Sequence, residues 1–376
     1  MKLLFWLSIF TILYVYLAYP VLIYVLSLFY RKSLIGKYVY PTVSILVAAY
    51  NEASNVELKI QSLQGLDYPD QRFEVLIGSD GSTDATDEII QRHVTERFKF
   101  FRRVKREGKP SMLNYLAAQA TGEVLVFTDM RQRVDQGALK ELLKYFSDPK
   151  VGSVSSALFY ENENQNNKTG SGIGLYWKYE KFIRQCESRM GSMLGATGAL
   201  YAIRRELLPQ LPKDLILDDV YIPMKIVEKG YRAIFDPKAK VFDRVFKDPK
   251  EEFLRKTRTL AGNYQLFYYL GELFNPLKGK ISWQFFSHKF LRLMVPFLLI
   301  AIFIANLYLL DISLYRFILS LQVVFYGCAL LGQLVKKKNS LFDVPYMFCV
   351  MNSAAVVGLY RFVANKQDVL WHKAKQ

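Results

Sequence analysis

The sequence predicts an α/β fold: a mainly parallel sheet with helices on its faces, preceded by one membrane helix and followed by two or three more. Two observations predict the sheet and a third predicts the membrane helices. Short apolar, β-rich runs alternate with segments of helical spacing, the pattern of a parallel sheet covered on both faces. Those runs end in polar loops, where an open α/β sheet places its ligand. Uncharged stretches long enough to span about 30 Å of hydrocarbon lie near both ends of the chain.

Residues 3–30 carry no charged side chain and read as one membrane helix, with Pro20 as a kink point. The run is too long for a cleaved signal peptide, and no small-residue site ends it. Arg31, Lys32 and Lys37 follow at once and only Lys2 precedes, so the positive-inside rule puts the chain from Tyr38 onward in the cytoplasm. Val43-Ser44-Ile45-Leu46-Val47-Ala48-Ala49 is a buried strand feeding Tyr50-Asn51-Glu52, and residues 55–66 follow with helical spacing. Residues 73–77 form a second strand, ending at Gly78-Ser79-Asp80-Gly81-Ser82. Residues 83–95 then form a helix capped by Ser82 or Thr83, with Asp84 and Asp87 early in it. Residues 123–128 form a third strand, ending at Asp129. The polar stretch 161–172 has the composition of a surface loop.

Nearer the C-terminus, residues 264–290 mix aromatics with Lys278, Lys280 and Lys289. That composition suits a segment in the headgroup region, with ordinary packing on the soluble domain as the alternative. Residues 293–310 and 317–335 read as a tight membrane hairpin, and Lys336-Lys337-Lys338 returns the chain to the cytoplasm. Residues 344–360 are a third apolar run. If they cross, Arg361, Lys366, Lys373 and Lys375 lie outside, against the charge bias, so an interfacial or re-entrant placement stays open. The division that follows is a membrane helix at 1–32, a cytoplasmic domain at 38–263, an interfacial segment at 264–290, membrane or re-entrant helices at 291–364 and a tail at 365–376.

A chain that is 51% hydrophobic and 15% aromatic is not a disordered one. Its net charge of +16 admits nucleic acid, anionic lipid or phosphorylated substrates as partners. Zinc-finger spacing and aromatic–basic RNA signatures are absent, which argues against nucleic acid. Cys186, Cys328 and Cys349 make no CxxC pair, so neither a disulfide framework nor a zinc site is expected. His93, His288 and His372 lie too far apart in sequence to suggest a metal centre.

Four islands carry the chemistry. Asp80, at a strand end before Gly81, can bond a base or ribose edge while the glycine lets the backbone pass close. Asp129 can hold a divalent cation bridging two phosphates, with Mg2+ or Mn2+ suited to hard oxygen ligands. The adjacent acids Asp218 and Asp219 repel, which can raise one pKa and make it a usable base, whereas simple helix capping is the alternative. Arg255 and Arg258 are one helical turn apart and can clamp a diphosphate, or form a lipid-facing surface. Lys109 and Asn114 are further candidates for phosphate or base.

In this order the motifs resemble those of the inverting family 2 glycosyltransferases, with a GT-A, Rossmann-like nucleotide-sugar domain. More narrowly, the chain resembles the membrane-embedded synthases of the cellulose, chitin, hyaluronan and poly-N-acetylglucosamine group. Ala48-Ala49-Tyr50-Asn51-Glu52 is similar to the family's first loop, Ser79-Asp80-Gly81-Ser82-Thr83-Asp84 to its DDGSTD signature and Gly108-Lys109-Pro110-Ser111-Met112-Leu113-Asn114 to GKxxALN. Gly195-Ala196-Thr197-Gly198-Ala199 resembles the segment beneath the acceptor sugar, and Leu217-Asp218-Asp219 the TED motif. The resemblance implies Ala49, Asn51, Glu52, Asp80, Lys109 and Asp129 at the donor, with Asp129 as metal ligand. It implies Arg255 and Arg258 at the diphosphate, Gly198, Ala199 and Asp218 at the acceptor, and Asp219 as catalytic base. Two motifs depart from the family: DxD reads Asp129-Met130-Arg131, and QxxRW reads Arg255-Lys256-Thr257-Arg258-Thr259. Arg131 or Asp135 could compensate for the missing second carboxylate.

The expected activity is inverting transfer from a nucleotide-diphosphate sugar, with UDP the favoured nucleotide, to a growing polysaccharide or lipid-linked glycan. It would occur at the inner (plasma) membrane, with membrane lipid and possible partner subunits around it. A single transfer to polyprenyl phosphate and an inactive nucleotide-sugar sensor are the rivals.

Overall fold

The computed structural model describes residues 1–30, 36–161, 168–244, 249–334, 339–368 and 370. They form two compact units. One takes described residues 1–26, 168–183, 249–334 and 339–367; the other takes 27–30, 36–161, 184–244, 368 and 370. The division thus differs from one continuous 38–263 domain: residues 168–183 and the chain from 249 group with the apolar helices. Of the polar stretch 161–172, residues 162–167 lie outside the described residues, and the helix Lys168–Met190 begins inside it rather than a loop. Lys336, Lys337 and Lys338 also lie outside them.

The second unit is built on one eight-stranded sheet. Its strands are β1 (Val43–Ala49), β2 (Phe73–Asp80), β3 (Phe98–Arg103), β4 (Val124–Phe127), β5 (Arg133–Val134), β6 (Val151–Glu161), β7 (Tyr201–Arg204) and β8 (Arg232–Arg244). The spatial order is β3-β2-β1-β4-β7-β6-β8-β5. The first four strands are mutually parallel, as are β6 and β8, whereas β7 and β5 run antiparallel to their neighbours. Every residue of β1 and β2 is buried, as covered parallel strands require. The order reverses between β1 and β4, so the crevice of an open α/β sheet opens at their carboxyl ends, beside Tyr50-Asn51 and Thr128-Asp129.

Close packing carries this geometry to the site. A Cβ on Gly78 of β2 would lie 2.3 Å from Met112 Sδ, so glycine is what lets the helix Lys109–Gln119 seat directly on the sheet. That helix begins with Lys109. At the other end of the strands, Glu74 accepts from Ser44 Oγ (2.6 Å), Lys99 Nζ (2.7 Å) and the Thr121 backbone N–H (2.8 Å). Burial pushes its pKa up, but Lys99, Ser44 and Thr121 outweigh that and hold the carboxyl at about 2. Because the folded value lies below the unfolded one of about 4.3, this stabilisation is complete above pH 4.3 and is lost as pH falls towards 2. Thermal unfolding of the detergent-solubilised protein should therefore show a midpoint that drops through that window, and Glu74→Gln should flatten the drop. An unchanged slope in the variant would refute the assignment.

Among the described residues four helices are long and apolar enough to cross a membrane, all within the helical unit except for residues 27–29: Lys2–Phe29, Lys280–Leu307, Ser313–Leu334 and Ser340–Val363. Pro20 has no N–H for the Tyr16 carbonyl, and the first helix answers with a π-helical turn at Tyr14–Ala18, while Tyr179 Oη donates to that carbonyl at 3.0 Å. The helix Lys280–Leu307 has its own π turn at Phe286–Phe290, and the two turns meet through Tyr14 Oη and Ser287 Oγ, 2.8 Å apart. Glu180 pairs with Arg292 through one oxygen and with His288 through the other, so this buried carboxylate is partnered. The expected interfacial segment, residues 264–290, holds the end of the helix Pro249–Tyr269, two short 3-10 turns and the start of the helix Lys280–Leu307. Its aromatics pack on one another, with Phe267 and Phe274 rings 4.0 Å apart.

Candidate active site

Three loops bring the carboxylates together. Asp129 leaves the end of β4 half-buried. Lys109 Nζ lies 2.8 Å from Asp129 Oδ1 and 3.2 Å from Asp218 Oδ1, so the ammonium joins the β4 loop to the helix Asp218–Glu228. Burial lowers the Lys109 pKa, but Asp129 and Asp218 outweigh that, and Asp219 adds to them; the side chain stays protonated well above the usual lysine range. Asp219 is half-buried. Gly198 N–H donates to its Oδ2 at 3.1 Å, and Ala196 N–H donates to its backbone carbonyl at 2.7 Å. A Cβ on Gly198 would sit 3.0 Å from that same Oδ2, so the segment can approach the carboxylate closely only as glycine. Asp129, Lys109, Asp218, Asp219 and Gly198 thus share one site.

Other expected site residues support that cluster from behind. Asp80 is fully buried, and its two oxygens accept the N–H groups of Glu107 (2.9 Å) and Gly108 (2.7 Å). We assign it to holding the loop that presents Lys109 rather than to touching a base or ribose. Ala49 is fully buried in β1 and offers no surface to a ligand. Asn51, with φ of 52°, joins the next loop through Ser82 and Thr83, and the Glu52 N–H donates to Thr86 Oγ1. Neither Ser82 nor Thr83 caps the helix, which runs only Thr86–Gln91 with Ala85 at its N-cap; Asp84 accepts from Thr86 N–H and from Ala53 N–H, tying this turn to the start of the helix Ala53–Gln64. Asn114 Nδ2 donates to the Leu211 carbonyl (2.9 Å). Asp218 is 5% exposed and held by Lys109 and the Tyr201 hydroxyl (3.3 Å), which makes it a positioning group and not an acceptor contact. Ala199 is buried too, its carbonyl accepting from Thr128 Oγ1 (2.7 Å), so Gly198 is the open residue of its segment.

The two motif departures have structural explanations. Arg131 pairs with Asp243, a β8 residue 2% exposed that also accepts from Gln132 Nε2 at 3.1 Å. Its charge balances a buried acid instead of replacing a cation. Asp135 opens the turn into the helix Ala138–Leu143, its N–H bonded to the Lys240 carbonyl. In the helical unit, Arg255 is engaged in a two-pronged bond to Glu252 (3.0 and 2.9 Å), so the expected Arg255 half of a diphosphate clamp is already occupied; Arg258 lies on the same helix.

Sequence reasoning missed Lys59. It is 1% exposed, donates to Thr128 Oγ1 at 2.9 Å, and is pulled down to a pKa of about 7 by burial, against the pull of Asp129 and Asp243. Thr128 passes the contact to Ala199, so one hydrogen-bonded chain links the helix Ala53–Gln64 to both loops of the site. The signal was available: Val56, Lys59, Ile60 and Leu63 form the buried stripe, and a lysine in such a stripe needs a partner.

Residues 44–211 match the family model described as glycosyl transferase family 2. The chain carries a family 2 glycosyltransferase domain. It is 28% identical over 195 residues to a β-monoglucosyldiacylglycerol synthase of Synechocystis, covering 50% of this chain and 40% of that one. It is 24% identical over 249 residues to a poly-β-1,6-N-acetyl-D-glucosamine synthase of Staphylococcus aureus, covering 63% and 58%. The chain therefore spans about half the length of these two relatives, which make a glycolipid and a polysaccharide by name. Its fold matches a mannosyltransferase from Pyrobaculum calidifontis solved with GDP-Man and Mn2+, with a TM-score of 0.75 and 23% identity over 96% of this chain and 99% of that one. The expected GT-A fold is what the chain has, with one N-terminal and three C-terminal apolar helices among the described residues.

Proposed function

We propose that this glycosyltransferase moves a sugar, with inversion, from a nucleotide-diphosphate donor to a hydroxyl of a growing glycan or lipid-linked acceptor at the plasma membrane. The observation that carries the reading is the half-buried Asp219, anchored by Gly198 N–H on one side and facing the Lys109–Asp129–Asp218 set on the other. Asp219 takes the proton of the acceptor hydroxyl as its oxygen attacks the anomeric carbon, opposite the departing diphosphate. One displacement then gives an inverted product. Lys109, pre-positioned and fully charged, supplies positive charge to the leaving diphosphate.

A divalent cation fits the donor set in one form. Asp129 is the carboxylate at the strand end and is 40% exposed, and among the described residues no group of three His, Cys, Asp or Glu forms a cage. Mg2+ is commonly held by one or two carboxylates plus substrate phosphates, so Asp129 would hold Mg2+ or Mn2+ together with the donor. When bound, such an ion acts as a Lewis acid toward the leaving group.

The apolar helices support this acceptor class, since helices of that length and composition favour a place beside lipid. The test is transfer by membranes containing the full chain, using a panel of labelled nucleotide sugars with and without Mn2+. The reading expects one donor to be used, with Mn2+ stimulation, and a product whose anomeric configuration, read by NMR, is opposite to the donor's. A ladder of sizes marks polymer synthesis, and one sugar per lipid marks single transfer. A retained configuration, or binding with neither transfer nor donor hydrolysis, would overturn it.

A further inference from the structure

We propose that Lys59 is a positioning residue for sugar transfer: it fixes the Thr128 hydroxyl, which ties the loop of Asp129 to the turn of Gly198. The assignment deepens the proposed function and rests on it, with Asp129 at the donor and Asp219 as the base.

The sequence puts Lys59 where a lysine is costly. It lies in the stripe Val56, Lys59, Ile60 and Leu63 of the helix Ala53–Gln64, and the other members of that stripe are fully buried. Lys59 is itself 1% exposed. Among the described residues its side chain makes one hydrogen bond, to Thr128 Oγ1 at 2.9 Å, and no ion pair. An ammonium has three N–H donors to satisfy, and a buried charge with a single polar partner destabilises a fold. Methionine would fill the same stripe without that cost.

Thr128 does not need the lysine for its own sake. It is 4% exposed, and its hydroxyl proton already has an acceptor in the Ala199 carbonyl at 2.7 Å. What the lysine settles is direction. A hydroxyl carries one proton and rotates to suit its neighbours. The Asp129 carbonyl, 3.5 Å from Thr128 Oγ1, offers that proton a second and longer direction. By donating to the oxygen, Lys59 occupies a lone pair and leaves the proton on Ala199. A lysine amine can donate this bond in either protonation state, so the device does not depend on titration.

The ends of this chain are the two halves of the reaction. Thr128 precedes Asp129, whose Oδ1 lies 2.8 Å from Lys109 Nζ. Ala199 follows Gly198, whose N–H holds Asp219 Oδ2 at 3.1 Å. Backbone pairing of β4 with β7 stops at Phe127 and Tyr201, and the Thr128–Ala199 bond continues it into the loops. Lys109 joins the Asp129 loop to Asp218, and Lys59 adds a second tie through Thr128. A misplacement of about 1 Å between reacting groups costs on the order of 100-fold in rate.

The test compares Lys59→Met, Thr128→Val and the double variant, each in the full chain. Membranes carrying each are given radiolabelled UDP- and GDP-sugars, with their own lipid and glycan as acceptor. Transfer and release of free sugar are both counted, after subtraction of membranes lacking the chain. Thermal midpoints are read on detergent-solubilised protein. Lys59→Met is expected to lower transfer about 100-fold and to unfold at or above the native midpoint. It should also raise the ratio of donor hydrolysis to transfer, because water needs no such registration. Thr128→Val leaves the buried amine without its bond, so its midpoint should fall. In the double variant the midpoint should return, while transfer stays at the level of either single change, the mark of one shared interaction. Transfer at the native rate in Lys59→Met would overturn the proposal. So would a lowered midpoint with transfer and hydrolysis reduced in equal proportion, or a double variant whose loss is the product of the two single losses. Native membranes that neither transfer nor hydrolyse any donor would overturn the proposed activity, and this assignment with it.

Discussion

Lys109→Met lowers kcat/KM for the donor about 100- to 1,000-fold, the scale seen when one pre-organised electrostatic contact is removed from a transition state. Methionine keeps the length of the side chain and removes its charge. In the native site that charge lies 2.8 Å from Asp129 and 3.2 Å from Asp218, with Asp219 also acting on it. Without it, three carboxylates face one another and an incoming diphosphate. The variant should therefore lose both turnover and donor affinity. It should also unfold more easily, because the buried Asp218 loses its ion-pair partner, a change that costs about 3–5 kcal/mol when it breaks a buried pair. Lys109→Arg should recover only part of the activity, since a planar fork does not replace a compact ammonium between two separate carboxylates. Steady-state kinetics with varied donor, together with direct donor binding, check this; unchanged kcat/KM in the methionine variant would remove Lys109 from the mechanism.

The left half of the sheet was legible in the sequence for a physical reason. β1, β2 and β4 are buried on both faces, and such strands appear as continuous apolar runs ending at polar loops. The other half was harder to read. β3 (Phe98–Arg103) carries Lys99, Arg102 and Arg103 at the sheet edge, β8 carries exposed Lys238 and Lys240, and β5 is two residues long. Their pairing is decided by partners distant in sequence, including the antiparallel β7. The helix Lys168–Met190 starts in a polar, glycine-containing stretch, where composition favours a loop.

The site divides along a similar line. Motif order pointed to the right loops, and Lys109, Asp129, Asp219 and Gly198 do converge. A motif does not distinguish a residue that touches ligand from one that holds the loop. Asp80, with two backbone N–H donors and no exposed surface, belongs to the second kind, as do Asp218 and Ala49. Arg131 looked like a substitute cation because its partner, Asp243, is far along the chain. Lys59 lay outside every motif, and only the pattern of its helix marked it.

The second large effect falls on Asp219. Asp219→Asn keeps the side chain's size and an oxygen to accept the Gly198 N–H, but removes its basicity. Loss of a general base costs about 100- to 10,000-fold in turnover, and here it should leave donor binding nearly intact because Lys109 and Asp129 are untouched. The direct measurement is transfer of labelled sugar by Asp219→Asn membranes, with donor binding determined on the same preparation. The account predicts bound donor and a loss of turnover on that scale. Transfer at the unmodified rate, with donor bound as before, would contradict it.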